Sequence, residues 1–225
     1  MVGIYLDEFG LLYTIHLPRI TSMQLINYCL LLFFLLRFSA LSAQEDWTIS
    51  KDKGNIKVYT KNSVNNKFKS IKVTCLTVGT IEQIISIFKN VETNASWIYS
   101  CKKSYMIKIV DDDNIIYYLE SGAPWPVSNR DAVVNMNFRK SADNRNLTIT
   151  TSDNKTILEQ KKGIVRVASL SAIWSIVAVD DKNIAITYYL DVHPGGSVPA
   201  WAYNLFVTEG PYSTFKKLTE LLRNN

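Results

Sequence analysis

Residues 183–193 constrain the fold more than any other stretch. Ile184, Ile186, Tyr188, Leu190 and Val192 alternate without a break with Ala185, Thr187, Tyr189, Asp191 and His193. A period of two places the first set on one face of a strand and the second on the other, so one face is buried and the other is largely wet. The period then changes. From about residue 198, Trp201, Leu205, Thr208, Tyr212, Phe215, Leu218 and Leu222 recur at steps of three and four, the stripe of an amphipathic helix. Ser197 is the expected cap, with Pro199 tolerated in the first turn. Gly210-Pro211 should kink or hinge that helix.

Upstream, residues 55–60 and 68–78 read as half-buried strands. Thr80 caps a helical pattern of Ile81, Ile84, Ile85 and Phe88, and a second short helix is expected over 91–99. Strands around 104–110 and 114–119 flank Asp111-Asp112-Asp113. That triplet lacks the spaced oxygen ligands calcium needs and reads as a hairpin turn. Strands over 132–140, 147–151, 165–179 and 183–193 complete a set of eight. No internal repeat, low-complexity segment or second domain interrupts them.

Two strings stand apart from this pattern. Pro124-Trp125-Pro126-Val127-Ser128-Asn129-Arg130-Asp131 is a stiff apolar loop that cannot join a sheet ladder, followed at once by an Arg-Asp pair. His193-Pro194-Gly195-Gly196-Ser197-Val198-Pro199-Ala200-Trp201 opens the closing helix. These strings, and the order of elements between Trp47 and Arg223, resemble the START family, the steroidogenic-acute-regulatory-related lipid-transfer domains, in an exported, bacterial-type, single-domain form. The resemblance implies an α+β helix-grip fold: a curved antiparallel β-sheet wrapped around a long C-terminal helix, with an internal apolar cavity. It also implies a gate at the cavity mouth made by Pro124, Pro126 and Val127 with Trp125, hinging near Gly195 and Gly196 or near Gly210-Pro211. Trp125 should pack against the closing helix around residues 201–205.

The candidate ligand-binding residues are Trp125, Arg130, Trp174, Tyr188, Trp201 and Leu205. Aromatic stripes are also common core filler, and that reading stays open for Trp174, Tyr188 and Trp201. Arg130 has two readings as well: it anchors the loop together with Asp131, or it meets a polar headgroup. A buried charge needs a partner in either case.

Catalysis finds little support. Asp191 and His193 share a strand face expected to look into solvent, and neither a nucleophile elbow nor a phosphate loop occurs. The reading is therefore a non-enzyme with no cofactor, no metal and no catalytic residues. It binds a lipid or sterol-like molecule and shuttles or senses it, as a monomer making transient contact with a membrane surface. Two alternatives come from other classes: a non-transferring interaction or sensor module at the envelope, and a helix-grip hydrolase or cyclase. Lysines and arginines number 25 against 20 acidic residues, a net charge of +5. The basic residues are scattered, so no nucleic acid is expected as a partner.

Residues 1–43 differ from the rest. Residues 25–36 are apolar but for Asn27, and small residues follow up to Ala43. Such a core spans only about 18 Å as a helix, against about 30 Å of hydrocarbon. A secretory signal cleaved near Ala43 is expected, leaving residues 44–225 as the lipid-binding domain, periplasmic or secreted. An N-terminal membrane tether is the alternative. Met23 is a candidate translation start, because residues 1–22 resemble neither signal nor domain. Cys75 and Cys101 then remain, and an exported chain could bridge them, although nothing in the sequence brings them together.

Overall fold

The structure is a computed structural model and describes residues 2–6, 12–16, 47–63 and 68–224. The apolar run at 25–36 and the expected cleavage position lie outside the described residues. Within 1–22 the outcome differs from expectation: β1 (Val2–Leu6) pairs antiparallel with β2 (Leu12–His16), from Val2 opposite His16 to Leu6 opposite Leu12. Residues 1–45 and residues 46–225 form two separate compact units. No helix among the described residues is long and apolar enough to cross a membrane.

The larger unit is one curved sheet with helices on its inner face. Its strands are β3 (Thr48–Lys53), β4 (Ile56–Asn62), β5 (Lys69–Val78), β6 (Cys101–Asp111), β7 (Asn114–Ser121), β8 (Arg130–Lys140), β9 (Asn146–Asp153), β10 (Val165–Arg166), β11 (Ser169–Ala178) and β12 (Asn183–His193). They run in the order β3-β4-β5-β12-β11-β9-β8-β7-β6, antiparallel throughout, while β10 pairs parallel with the start of β8. Two strands differ from the expected set. β3 is an edge strand with both faces mostly exposed, so it carries no burial alternation to read. The stretch 165–179 breaks at 167–168, where Val165 and Val167 donate their N–H groups to the carbonyls of Asn129 and Asp131 before the chain turns back beside β12.

Elsewhere local chemistry sets the elements directly. α1 (Ile81–Lys89) begins at a capping box: Thr80 Oγ1 accepts from the Gln83 N–H, and Gln83 Oε1 accepts from the Thr80 N–H. Its buried face is Ile81, Ile84 and Phe88. The expected helix over 91–99 is shorter, a 3-10 turn (Val91–Thr93) and a single turn α2 (Asn94–Trp97). The acidic triplet is a turn, with Asp111 carboxylate oxygens accepting from the Asp113 N–H and the Asn114 side-chain amide.

The chain closes through α3 (Ala200–Asn204), a π-helical stretch (Leu205–Glu209) and α4 (Gly210–Asn224). The helix starts later than expected. Pro199, not Ser197, provides the first helical acceptor, taking the Tyr203 N–H at 3.0 Å. Pro211 has no N–H for the carbonyl four residues back, and the wide π turn absorbs that loss. α4 packs Phe215, Leu218 and Leu222 onto β4 and β5. Together with Val58, Val73, Ile84, Ile149, Ile176 and Ile186 they form the main core.

Candidate ligand cavity

Between the inner face of the sheet and the closing helix lies a cavity of about 270 Å³. That is just below the roughly 300–1,000 Å³ typical of small-molecule sites. Strand periodicity builds the walls. β11 contributes Leu170, Ala172 and Trp174, β12 contributes Tyr188, Leu190 and Val192, and β8 contributes Arg130, Ala132, Val134 and Met136. Helix residues Phe88, Trp97, Val207 and Phe215 close the space from the other side.

The aromatic wall is a connected stack. Trp174 and Tyr188 are direct cross-strand partners with ring centroids 4.1 Å apart. Trp174 stacks on Phe215 of α4 at 5.2 Å and meets Phe88 edge-on at 4.9 Å, while Phe88 touches Trp97 at 5.3 Å. Burial pushes the Tyr117 and Tyr188 phenols well above their ordinary range, so both stay neutral hydrogen-bonding groups.

Arg130 is the one charged side chain at the inner end of β8, and it is 7 % exposed. Nη1 donates to the Ser128 carbonyl at 2.5 Å and Nη2 to the Ser197 carbonyl at 3.1 Å, while Nε has no protein acceptor. Desolvation pulls its pKa below the usual arginine value. Asp131 does not pair with Arg130. Successive strand residues face opposite ways, and on the outer side Asp131 takes a two-pronged ion pair from Arg166, Nε at 2.7 Å and Nη2 at 3.1 Å. Arg166 also holds the carbonyls of Leu158 and Glu159. The residue 154–164 loop therefore covers the outer face of β7, which explains why Ile116 and Tyr118 are buried there as well as Ile115 and Tyr117 on the inner face.

The other candidate residues fall in different places. Trp174 and Tyr188 line the cavity, as does Arg130. Trp125 does not pack against the closing helix: it is 91 % exposed. Its loop closes on itself through a 2.9 Å bond from the Val127 N–H to the Pro124 carbonyl, and that turn holds the indole outward. Pro124 and Pro126 are exposed and Val127 is half-buried. Trp201 is also turned away, 47 % exposed, because the π turn adds a residue and shifts the stripe by about 100°. Ala202 and Val207 are buried in its place. The Leu205 side chain lies outside the described residues. Gly195 and Gly196 both adopt left-handed backbone, with φ of +69° and +56°.

Several residues at the cavity were not singled out by sequence reasoning. Phe88 and Phe215 were visible as buried helix positions, but nothing local showed that they face a space. Asn94 and Trp97 lay in a short helix whose four residues cannot fix its phase, and Tyr203 lay off the stripe read for the closing helix. Asp191 and His193, expected to look into solvent, are half-buried and bonded to neighbouring groups. Asp191 Oδ2 accepts from Ser63 Oγ at 2.7 Å and Ser70 Oγ at 3.0 Å. His193 Nδ1 accepts from the Gly195 N–H, and its ring meets Phe68 edge-on at 5.1 Å. Both side chains are held in structural contacts. Cys75 and Cys101 are free thiols.

A curved antiparallel sheet gripping a C-terminal helix over an apolar cavity defines the helix-grip class of ligand-binding proteins. The START domain family model matches residues 37–225, and the chain belongs to that family, whose members bind lipids and other hydrophobic ligands. A STAR-related lipid transfer protein from Xanthomonas axonopodis is similar in structure, with a TM-score of 0.71 at 29% identity, covering 79% of this chain and 98% of that one. Human StAR-related lipid transfer protein 5 shares the fold with a TM-score of 0.71 at 14% identity, over 90% of this chain and 98% of its own. In sequence, an uncharacterised protein of Pseudomonas aeruginosa is 29% identical over 77% of this chain and 85% of its own length. The phosphatidylcholine transfer protein of Rattus norvegicus is 22% identical over 80% and 85%.

Proposed function

We propose that this protein encloses one apolar ligand in the cavity, without chemical change, and shuttles or senses it. The observation that carries this reading is the apolar space walled by Trp174, Tyr188, Leu190 and Phe215, where a fold of this size could have closed a solid core. Moving a sixteen-carbon chain from membrane to water costs on the order of 12 kcal/mol, at about 0.8 kcal/mol per methylene. Apolar walls remove most of that cost.

Ligand entry needs a gate, which we assign to residues 122–129 and the chain from 194 into the π turn. The Arg130 bond to Ser197 joins the two segments. Trp125, projecting between two exposed prolines, supports transient contact of this gate with a membrane surface, since tryptophan favours the interface between headgroups and hydrocarbon. The apolar run at 25–36 supports export with cleavage near Ala43, or a tether if it is retained.

Native mass spectrometry of protein purified from its own source, followed by organic extraction, tests the carrier reading. One hydrophobic molecule per chain is expected. Protein that neither retains nor takes up any apolar molecule would overturn it. Amino-terminal sequencing of the recovered protein tests export, and an intact 25–43 segment on membranes would establish the tether instead.

A further inference from the structure

We propose that the ligand is an amphipathic anion, an apolar body whose oxyanion group, carboxylate or phosphate, docks on Arg130. The inference rests on the cavity-binding reading and adds the ligand's charge class. Arg130 is more than nine-tenths buried on the cavity wall, and no carboxylate of the described residues pairs with it. The nearest acid in sequence, Asp131, is already consumed by Arg166. Two carbonyls take one proton each from Nη1 and Nη2, which leaves the Nε–H with no protein acceptor. Carbonyl dipoles fix the guanidinium in place but do not neutralise it. A buried charge in that condition is costly, and an anion delivered by the ligand compensates it with a charge-assisted bond.

Other features of the cavity agree. Lys69, an exposed residue, also lines it, so both cationic side chains on the wall lack a carboxylate of the wall to offset them once Asp131 is assigned to Arg166. Among the described residues, Trp97 Nε1 is the other buried side-chain nitrogen without a protein acceptor, and Trp97 lines the same space. Being a neutral donor, its N–H can serve a hydroxyl or carbonyl oxygen as well as an anion, so selection for charge falls to Arg130. A volume of about 270 Å³ suits a single chain with a compact head better than a two-chain lipid with a large one.

The test compares radiolabelled palmitate, methyl palmitate and hexadecyl phosphate, which share one apolar body and differ at the head, on the full-length protein at neutral pH. The expected result is that an anionic probe binds about tenfold or more tighter than the ester. The stronger of palmitate and hexadecyl phosphate identifies the source of the oxyanion. Arg130→Lys should keep the preference, and in Arg130→Gln the ratio of anionic probe to ester should fall to about one. If Arg130→Gln does not fold, the ratio of acid to ester in the unmodified protein decides alone. Equal binding of acid and ester overturns the anion assignment but leaves the carrier reading standing. No binding of these probes or of a neutral sterol overturns both.

Discussion

Arg130 Nη2 donates a 3.1 Å hydrogen bond to the main-chain carbonyl of Ser197, across 67 residues of sequence. One contact thereby joins the strand that follows the proline-tryptophan loop to the segment that leads into the closing helix. The donor sits on the cavity wall and the acceptor on a turn of two left-handed glycines, so the state of the turn and the state of the cavity are mechanically linked.

Gly195 and Gly196 should respond differently to alanine. A Cβ on Gly195 would lie 2.7 Å from the Arg166 carbonyl, a backbone atom with little room to move, whereas on Gly196 it would meet nothing closer than the Val165 side chain at 3.5 Å. Gly196→Ala should cost about 1–2 kcal/mol, the left-handed penalty alone. Gly195→Ala should cost clearly more. Urea unfolding of the two variants measures the difference, and equal losses would mean the Arg166 contact does not constrain the turn.

Ala172 and Ala202 offer a contrast between hollow and solid packing. Both are buried, but only Ala172 lines the cavity. Ala172→Leu should leave the thermal stability of ligand-free protein nearly unchanged and weaken binding of an apolar probe several-fold. Ala202→Leu should lower stability by roughly 1–3 kcal/mol through overpacking. Strong destabilisation by Ala172→Leu, with binding retained, would identify that face as ordinary core.

The π turn is tied to the edge of the sheet by Lys51, whose Nζ lies 2.7 Å from both Glu209 carboxylate oxygens and 4.4 Å above the Tyr212 ring. Both partners of the ion pair are partly exposed, so Glu209→Gln should cost less than about 1 kcal/mol at equilibrium. If the gate opens at this turn, ligand uptake in stopped flow should quicken in the variant at low salt. The difference should shrink at high salt as screening weakens the pair in the parent protein. An unchanged uptake rate would place the opening elsewhere.

Burial pushes the Cys75 thiol from 9.0 up to about 11. The folded state therefore holds its proton at pH values where the unfolded state has lost it. Stability from this group is complete below pH 9 and falls as pH rises towards 11. The raised tyrosines, Tyr117 and Tyr188, extend the fall above about pH 10. Cys75→Ala should make the decline between pH 9 and 10 shallower in denaturant titrations. Cys75 should also resist alkylation at pH 8 until the protein unfolds.

The strands, the α1 cap and the two proline-rich strings were legible because their causes are local. Ile184 to Val192 alternate because a strand repeats every two residues, and Thr80 with Gln83 caps a helix wherever that helix lies. Where a segment had no buried face, as in β3, the sequence carried no signal to read. Asp191 shows the opposite limit. Its polarity suggested solvent, but Ser63 and Ser70 came from other parts of the chain to bond it.

The cavity itself was not written in any one segment. Trp201 left the expected stripe because Pro211, ten residues on, cannot donate to the π turn that intervenes. Trp125 turned outward because its loop found a hydrogen bond within itself. Arg130 lost its neighbour Asp131 to Arg166, thirty-five residues away from that acid in sequence. The sequence by itself determined periodicity, caps and turns, since these depend on residues within one element. Only the tertiary structure decided which aromatic rings face inward, which charge is left unpaired and how much space remains. Each of those is a difference between two surfaces that meet only after distant strands and helices have been brought into register.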